Sequence, residues 1–332
     1  MKRVFSLEQV NGFWIIDSKL EYKDLQDNYF IQDKKIELLS GKKFKVLYND
    51  TIQAFKDGKY LEYDRKLERI NEFTFDSVSV VYKKGEQNYI VKSKIENGKV
   101  KLAHYLKSEK VWELSTDFHL TWYVDSYHNI IGLDGVINVI DLAEGRIIWT
   151  WDIRDLGAHE SRNKIRKGKL TGKIRSWKDN FIFPVSGPKS AQMYSKRKSD
   201  GNTNWIQKKM IWGDFGIYNE NAIAIRSHLF QEIDLNTGKI LRENTLPFDH
   251  KRYWSTIFRG TVTDDRIFIY DCRQYTIFII DYCNLELLEE YTLEKTSKES
   301  WQIGDLAVSD GKIYIKEYMK KGGTVHVLEY NV

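Results

Sequence analysis

Apolar and polar residues alternate with a period of two through most of this chain, the pattern of half-buried strands. Around Asp134, the run NIIGLDGVINVIDLAEGRIIWTWDI reads as a strand, a tight Asp-Gly turn, a second strand, a turn at LAEG and a third strand ending in Trp149 and Trp151. The phrase returns from Ala222 as AIAIRSHLFQEIDLNTGKILRENTL and from Arg266 as RIFIYDCRQYTIFIIDYCNLELLEEYTL, with strand-ending aspartates at Asp141, Asp234 and Asp281. The last two are 47 residues apart and the first two 93, close to two such periods, and the turn glycines Gly98, Gly145 and Gly238 keep the same step. Further strands are predicted to begin at Gly12, Thr51, Ser77, Asn180 and Lys312.

A β repeat of this length is what a propeller blade requires: a twisted four-stranded sheet that cannot bury both faces until neighbours stack on it. The fold class expected is therefore all-β, a single β-propeller domain spanning residues 1–332. Chain length divided by the period gives seven blades, and the strand starts are compatible with six to eight. The first blades, up to about Lys110, are compressed, and shorter or missing strands are expected there. The last strand, TVHVLEYNV, is expected to pair with an early one such as RVFSLEQV, which removes exposed sheet edges.

The phrase VINVIDLAEGRIIWTW resembles the repeat of the quinoprotein-type (PQQ-like) and WD40-like β-propellers, in which an apolar pair precedes Asp, then a short turn, Gly, a basic residue, two apolar residues and Trp. Here these are Val139, Ile140, Asp141, Gly145, Arg146, Ile147, Ile148 and Trp149. Asp234, Gly238 and Lys239 repeat it with Arg242 in place of the Trp, and at Asp281 the glycine gives way to Leu285. The resemblance implies a fold and no particular activity. Many of the cofactor-binding members of that family carry adjacent cysteines beside the quinone; this chain has no Cys-Cys pair, so quinone chemistry is not carried over and no cofactor is expected.

Composition narrows the class. Hydrophobic residues at 42% and charged residues at 30% are globular values, while 14% aromatics with only 3 prolines favour pleated surfaces. Glu8 and Asp17 interrupt the amino-terminal region before any signal-peptide core, and the longest apolar runs, such as YTIFII at Tyr275, are strand-sized. Cys272 and Cys283 form no CxxC and have no neighbouring histidine, which fits reduced thiols and a cytoplasmic location, without a membrane partner.

Charge is unevenly placed. Between Arg162 and Trp212 fourteen Lys and Arg face only Asp179 and Asp200, a segment of +12 in a chain of +5. A basic, loop-rich insertion over residues 154–212 is expected to project from an otherwise acidic body and to attract an anionic partner. Its candidate partner-binding residues are Arg162, Lys164, Arg166, Lys167, Lys169, Lys173, Arg175, Trp177, Lys196, Arg197, Lys198 and Trp205. SGPKSAQMYSKRKSDGNTNW has the Gly, Pro, Ser and Asn content of a long loop. Against this stands the plain reading of a charge run as a solvated face, with lysine stems covering apolar surface.

Catalytic signatures do not emerge. Tyr194 and Lys198 have Tyr-x-x-x-Lys spacing but no GxGxxG accompanies them, and there is no GxSxG, HExxH or Walker loop. Asp117, His119, Asp125 and His128 form the one local nitrogen-and-oxygen cluster, without a third ligand from spacing, so no metal site is expected. Trp149 and Trp151 share a strand face and are expected to fill the space between blades, whereas Trp112, Trp122, Trp254 and Trp301 fall near inferred innermost strands and are candidates for an axial channel.

These observations point to a non-catalytic cytoplasmic protein-binding module acting by steric occlusion or scaffolding. An immunity-type protein that neutralises a toxin domain is one concrete form. A second reading is an enzyme or carbohydrate-binding propeller with an axial site assembled from several blades, including His119 or His128. A third is nucleic-acid binding through the basic loop, which the acidic remainder disfavours.

Overall fold

The structure is a computed structural model that describes the chain except residues 17, 27, 33, 37–42, 48–50, 57–58, 65, 67, 75–79, 85–87, 95–98, 107–108, 119, 134, 157–158, 162–163, 187–190, 212–214, 227, 248–258 and 331–332. Its described residues form strands and turns and no helix, arranged as eight four-stranded sheets and one two-stranded hairpin. The sheets are named here in chain order. Seven are simple meanders whose first strands are Val10–Ile16, Lys43–Leu47, Val80–Lys84, Leu120–Val124, Arg175–Trp177, Gly216–Tyr218 and Arg259–Thr263. The eighth runs Gln302–Ser309, Lys312–Tyr318 and Gly323–Glu329, and is completed by Lys2–Leu7. That early strand lies antiparallel to Gly323–Glu329, Lys2 opposite Glu329 and Leu7 opposite Val325, as the edge argument required.

The described sheets number one more than the seven expected. The 47-residue step between Asp234 and Asp281 overestimates the period, since the first strands of the first four sheets start only 33, 37 and 40 residues apart. The expected irregularity of the early blades is confined to the first sheet, whose outer strands are only Tyr29–Ile31 and Lys34–Lys35; strands of the second and third run five to eight residues.

Position within a sheet sets the apolar pattern. Middle strands are covered on both faces and buried almost throughout, as at His128–Leu133 and Val136–Asp141. Outermost strands face neighbours on one side only, so Glu109–Thr116, Ile147–Asp152 and Leu287–Thr292 alternate.

The chain divides into two compact units, residues 1–48, 216–232 and 241–332 in the first and 49–215 with 233–240 in the second. In the second unit the fourth sheet turns Ile130, Ile137 and Val139 toward Phe181, Phe183 and Val185 of the fifth, while its other face sets Ile131 and Ile140 against Ile90, Val100 and Leu102 of the third. In the first unit, Ile277 and Ile279 of the seventh sheet meet Ile313, Ile315 and Leu328 of the eighth, and Tyr314, Val325 and Val327 meet Val10, Leu20 and Tyr22 of the first. Each such side chain, fully buried, contributes about 1.5–3 kcal/mol of transfer free energy, which makes these inter-sheet layers the main stabilising term.

Tryptophans fasten consecutive sheets of the second unit. Trp112, on the last strand of the third sheet, donates its indole N–H to the Leu142 carbonyl, in the turn between the third and fourth strands of the fourth sheet (2.8 Å). Trp149 reaches Lys198 O in the corresponding turn of the fifth sheet (2.9 Å), and Trp205 reaches Leu235 O (3.1 Å). Each ring lies on the glycine of the turn it grips, Gly145, Gly201 or Gly238, all at positive φ. A Cβ on Gly201 would stand 2.6 Å from the Trp149 ring, so glycine answers both the backbone conformation and the ring's approach. The turn is braced at its head: Asp141 Oδ1 accepts from the Ala143 and Glu144 amides, and Gly145 N donates to Asp141 O.

In the first unit Arg242 takes the tryptophan's place. Its guanidinium donates to the Tyr282 and Cys283 carbonyls (2.8 and 2.9 Å), lies over the Tyr282 ring and pairs with Glu232 at 2.5 Å. Burial and the Glu232 carboxylate push Tyr282 up to about 12, so its hydroxyl remains a donor to Glu232. Leu285 keeps the left-handed conformation of the missing glycine (φ 61°) while burying its side chain in the core.

Candidate functional site

The segment written in sequence as a basic loop is largely the fifth sheet: Arg175–Trp177, Asn180–Ser186, Ala191–Arg197 and Thr203–Met210. Ser199 and Gly201 lie in the turn after Ala191–Arg197, but Pro184, Ser186 and Ser195 are on paired strands, where packing outweighs intrinsic preference.

Burial sorts the basic residues. Lys196 is 7% exposed; its ammonium donates to Gly201 O (2.7 Å) and Thr203 Oγ1 (3.0 Å) and sits 4.5 Å from the Trp151 ring centroid. Burial lowers its pKa, and the side chain serves the sheet rather than the surface. Arg175 is half-buried and donates to Phe215 O, and Trp205 is engaged with Leu235 and Gly238. Lys164 and Arg166 lie on the hairpin by their backbone, and Arg162 is outside the described residues. Lys167, Lys169 and Lys173 are exposed, Trp177 is half-buried with Lys178 over its ring, and Arg197 and Lys198 head the turn after Ala191–Arg197.

These cations do not form one patch. Lys169 pairs by backbone with Ser186, at the end of Asn180–Ser186, whereas Arg197 lies opposite Asn180 at its beginning. A strand of that length separates the two groups by on the order of 20 Å.

At the Asn180 end lies a cleft of about 700 Å³. Tyr127 and His128 line it from the first turn of the fourth sheet, Asp179 and Asn180 from the first turn of the fifth, Arg197, Lys198 and Ser199 from its last turn, and Asn204 from its outermost strand. Each wall is fixed. Asp125 Oδ1 accepts from the Tyr127 and His128 amides (2.8 and 2.7 Å) and stands 3.1 Å from His128 Nδ1. Burial raises the Asp125 pKa, but these hydrogen bonds outweigh it and hold the carboxyl below its ordinary range. The His128 ring meets Phe181 edge-on at 5.2 Å, and Lys198 Nζ lies 5.4 Å from the same phenyl centroid. Lys198 N donates to Asp179 O, Gly201 N to Arg197 O, and Trp149 grips Lys198 O. Asn204 Nδ2 donates to Asn180 Oδ1 at 2.5 Å.

Of the sequence candidates, the cleft gathers Arg197, Lys198 and His128. Tyr127, Asn180, Ser199 and Asn204 carried no signal, since turn asparagines and serines have ordinary turn roles; only the solved sheet register unites them. Chemically, the site offers two cations, amide and hydroxyl donors and an exposed tyrosine ring, against one wall carboxylate. Among the described residues no group of three His, Cys, Asp or Glu could hold a metal, and His119 lies outside them. Trp149 and Trp151 fill the space between the fourth and fifth sheets, against Phe183 and Tyr194. Trp112 is corrected from an innermost to an outermost strand, Trp122 is on a first strand, Trp301 is exposed just before Gln302–Ser309, and Trp254 is outside the described residues.

No protein-family model matches the chain, and no curated protein does so by sequence. Solved structures do. The propeller of Dos1 aligns with TM-score 0.56 and 12% identity, over 99% of this chain and 94% of that one. Hsv2p of Kluyveromyces lactis aligns with TM-score 0.51 and 9% identity, over 85% and 94%; KlHsv2 with its loop 6CD replaced by a Gly-Ser linker gives 0.53 and 10% over the same shares. Identities at this level speak to the fold alone, and on that ground the chain is a β-propeller.

Proposed function

We propose that this propeller is a non-catalytic, cytoplasmic protein-binding module that engages its partner through the basic surface of the fifth sheet, by steric occlusion or scaffolding. The observation that carries the reading is the open cleft at Arg197 and Lys198, whose polar walls are held in place by the surrounding turns. Pre-set donors on a rigid sheet suit recognition. An immunity-type protein that caps a toxin domain is the most concrete form of this function. Within the propeller class, the Asp141 to Trp149 phrase keeps the repeat nearest the quinoprotein type, as a fold without quinone chemistry.

Two features support the cytoplasmic, protein-directed form. Cys272 and Cys283 sit in turns at opposite ends of Thr276–Asp281, too far apart to bridge. The separation of the cations into two groups argues against a continuous track for a nucleic-acid backbone. Among the described residues no helix is long and apolar enough to cross a membrane.

The test is native purification at modest salt with mass spectrometry of whatever elutes in stoichiometric amount. A single co-eluting protein is expected; a bare chain carrying a small molecule would overturn the reading. With the partner in hand, Lys167→Glu with Lys169→Glu is expected to slow association about tenfold at low salt, with the difference shrinking as salt rises. Association unchanged by these substitutions at every salt concentration would remove that end of the sheet from the interface.

A further inference from the structure

Building on the protein-binding reading, we propose that the cleft between the fourth and fifth sheets receives an acidic segment of the partner protein, with its carboxylates on Arg197 and Lys198. Arg197 is 51% exposed and pairs with Asp200 at 2.9 Å. A surface pair of this kind contributes little, so exchanging Asp200 for an incoming carboxylate costs little. Lys198 follows directly, its ammonium 5.4 Å from the Phe181 ring centroid and its backbone fixed at both ends by Asp179 O and the Trp149 indole. The two cations are thus presented on a braced turn, and their ordering cost is met before binding.

The rest of the cleft fits the same occupant. Asn180 and Asn204 bring amide groups to the wall, and Ser199 brings a hydroxyl. Tyr127, 74% exposed at the rim, offers a ring face to an apolar neighbour of the acidic residues. The wall holds one acid, Asp179, against Arg197 and Lys198, and the segment's other acid, Asp200, belongs to the exposed pair that an incoming carboxylate displaces. A cleft of about 700 Å³ admits a stretch of several residues rather than a lone oxyanion. Lys167 and Lys169, at the opposite end of the sheet, are too distant to extend a nucleic-acid path into it.

The probe is a fluorescein-labelled hexaglutamate peptide followed by anisotropy, with the full chain. Wild type is expected to bind it; Arg197→Glu with Lys198→Glu is expected to weaken binding at least about tenfold, and Lys167→Glu with Lys169→Glu by less than about twofold. Intrinsic tryptophan fluorescence checks that both variants fold. Equal weakening by the two pairs would reduce the effect to diffuse charge and overturn the cleft assignment. Displacement of the peptide by inorganic phosphate or by a single-stranded oligonucleotide at comparable concentration would overturn the acidic-peptide assignment. A co-purified partner that binds Arg197→Glu with Lys198→Glu as tightly as wild type would sink the cleft proposal and leave the protein-binding function intact. Absence of any stoichiometric partner, scored without the peptide, would sink that function itself.

Discussion

Replacing Glu317 with alanine is expected to destabilise the protein by about 2–6 kcal/mol, since it leaves two buried donors, on His326 and Thr296, without their acceptor at about 1–3 kcal/mol each. Glu317 and His326 lie on adjacent strands of the eighth sheet, both fully buried, with 2.8 Å between Glu317 Oε2 and His326 Nε2. Glu317 also accepts from the Thr296 amide (3.0 Å) and hydroxyl (2.8 Å), and His326 Nδ1 is 3.1 Å from the Ser6 hydroxyl on the strand that completes the sheet. Alanine leaves His326 Nε2 and the Thr296 amide without their carboxylate acceptor, and leaves the Thr296 hydroxyl with only Thr324 Oγ1 at 3.4 Å. A lower urea midpoint checks this; an unchanged midpoint would mean that water replaces the carboxylate at no cost.

The same network makes stability fall in acid. Burial lowers the His326 pKa below 6.5, more than the Glu317 carboxylate raises it, and the Arg3 charge adds to the lowering. Burial pushes Glu317 up, but hydrogen bonds, Thr296 and His326 among the donors, outweigh it and leave the carboxyl below 4.5. Both folded-state values lie under the unfolded ones, so the unfolded chain takes up protons first. Their stabilisation is present above about pH 6.5 and is lost as pH falls, first through the histidine and then through the carboxyl. Glu317→Gln should remove the lower step. Urea midpoints that do not change with acidification through this range would contradict the assignment.

Trp149→Ala is expected to cost a similar amount, about 3–5 kcal/mol, because it removes packing as well as a hydrogen bond. The indole meets Phe183 at 6.1 Å, covers Gly201 and donates to Lys198 O. The loss should reach the cleft, since that carbonyl belongs to its wall, so hexaglutamate binding should weaken even where the variant is fully folded. Trp149→Phe separates the two effects, keeping most of the packing but not the donor. If Phe restores stability and peptide binding alike, the indole hydrogen bond has no positioning role.

Much of the architecture was legible because it repeats. The Asp141 to Trp149 phrase fixes a strand, an Asp-braced turn and an outer strand, and its tryptophan does what its spacing suggested. The Ala191–Arg197 strand was not legible, because the features that make it a strand are remote: pairing on both sides and a lysine whose charge is satisfied by a neighbouring turn. The period itself was overestimated because it was taken from later, longer steps, whereas the first four sheets begin 33, 37 and 40 residues apart. Arg197 and Lys198 stood out as charge, yet Tyr127, Asn180 and Asn204 did not, since turn chemistry and a binding wall use the same residue types. The pairing of RVFSLEQV with TVHVLEYNV was expected, but not the register that sets Ser6 beside His326.

The tryptophan contacts also have a direction. Each reaches from the outermost strand of one sheet forward to a turn of the next, so a sheet of the second unit depends on its successor to hold its own edge. Unfolding in such an array spreads between nearest neighbours. Disturbing the turn at Gly201 should therefore loosen Ile147–Asp152 before it loosens Thr203–Met210, and hydrogen exchange after a change at one turn should fade backward along the chain like a zip opened from its far end.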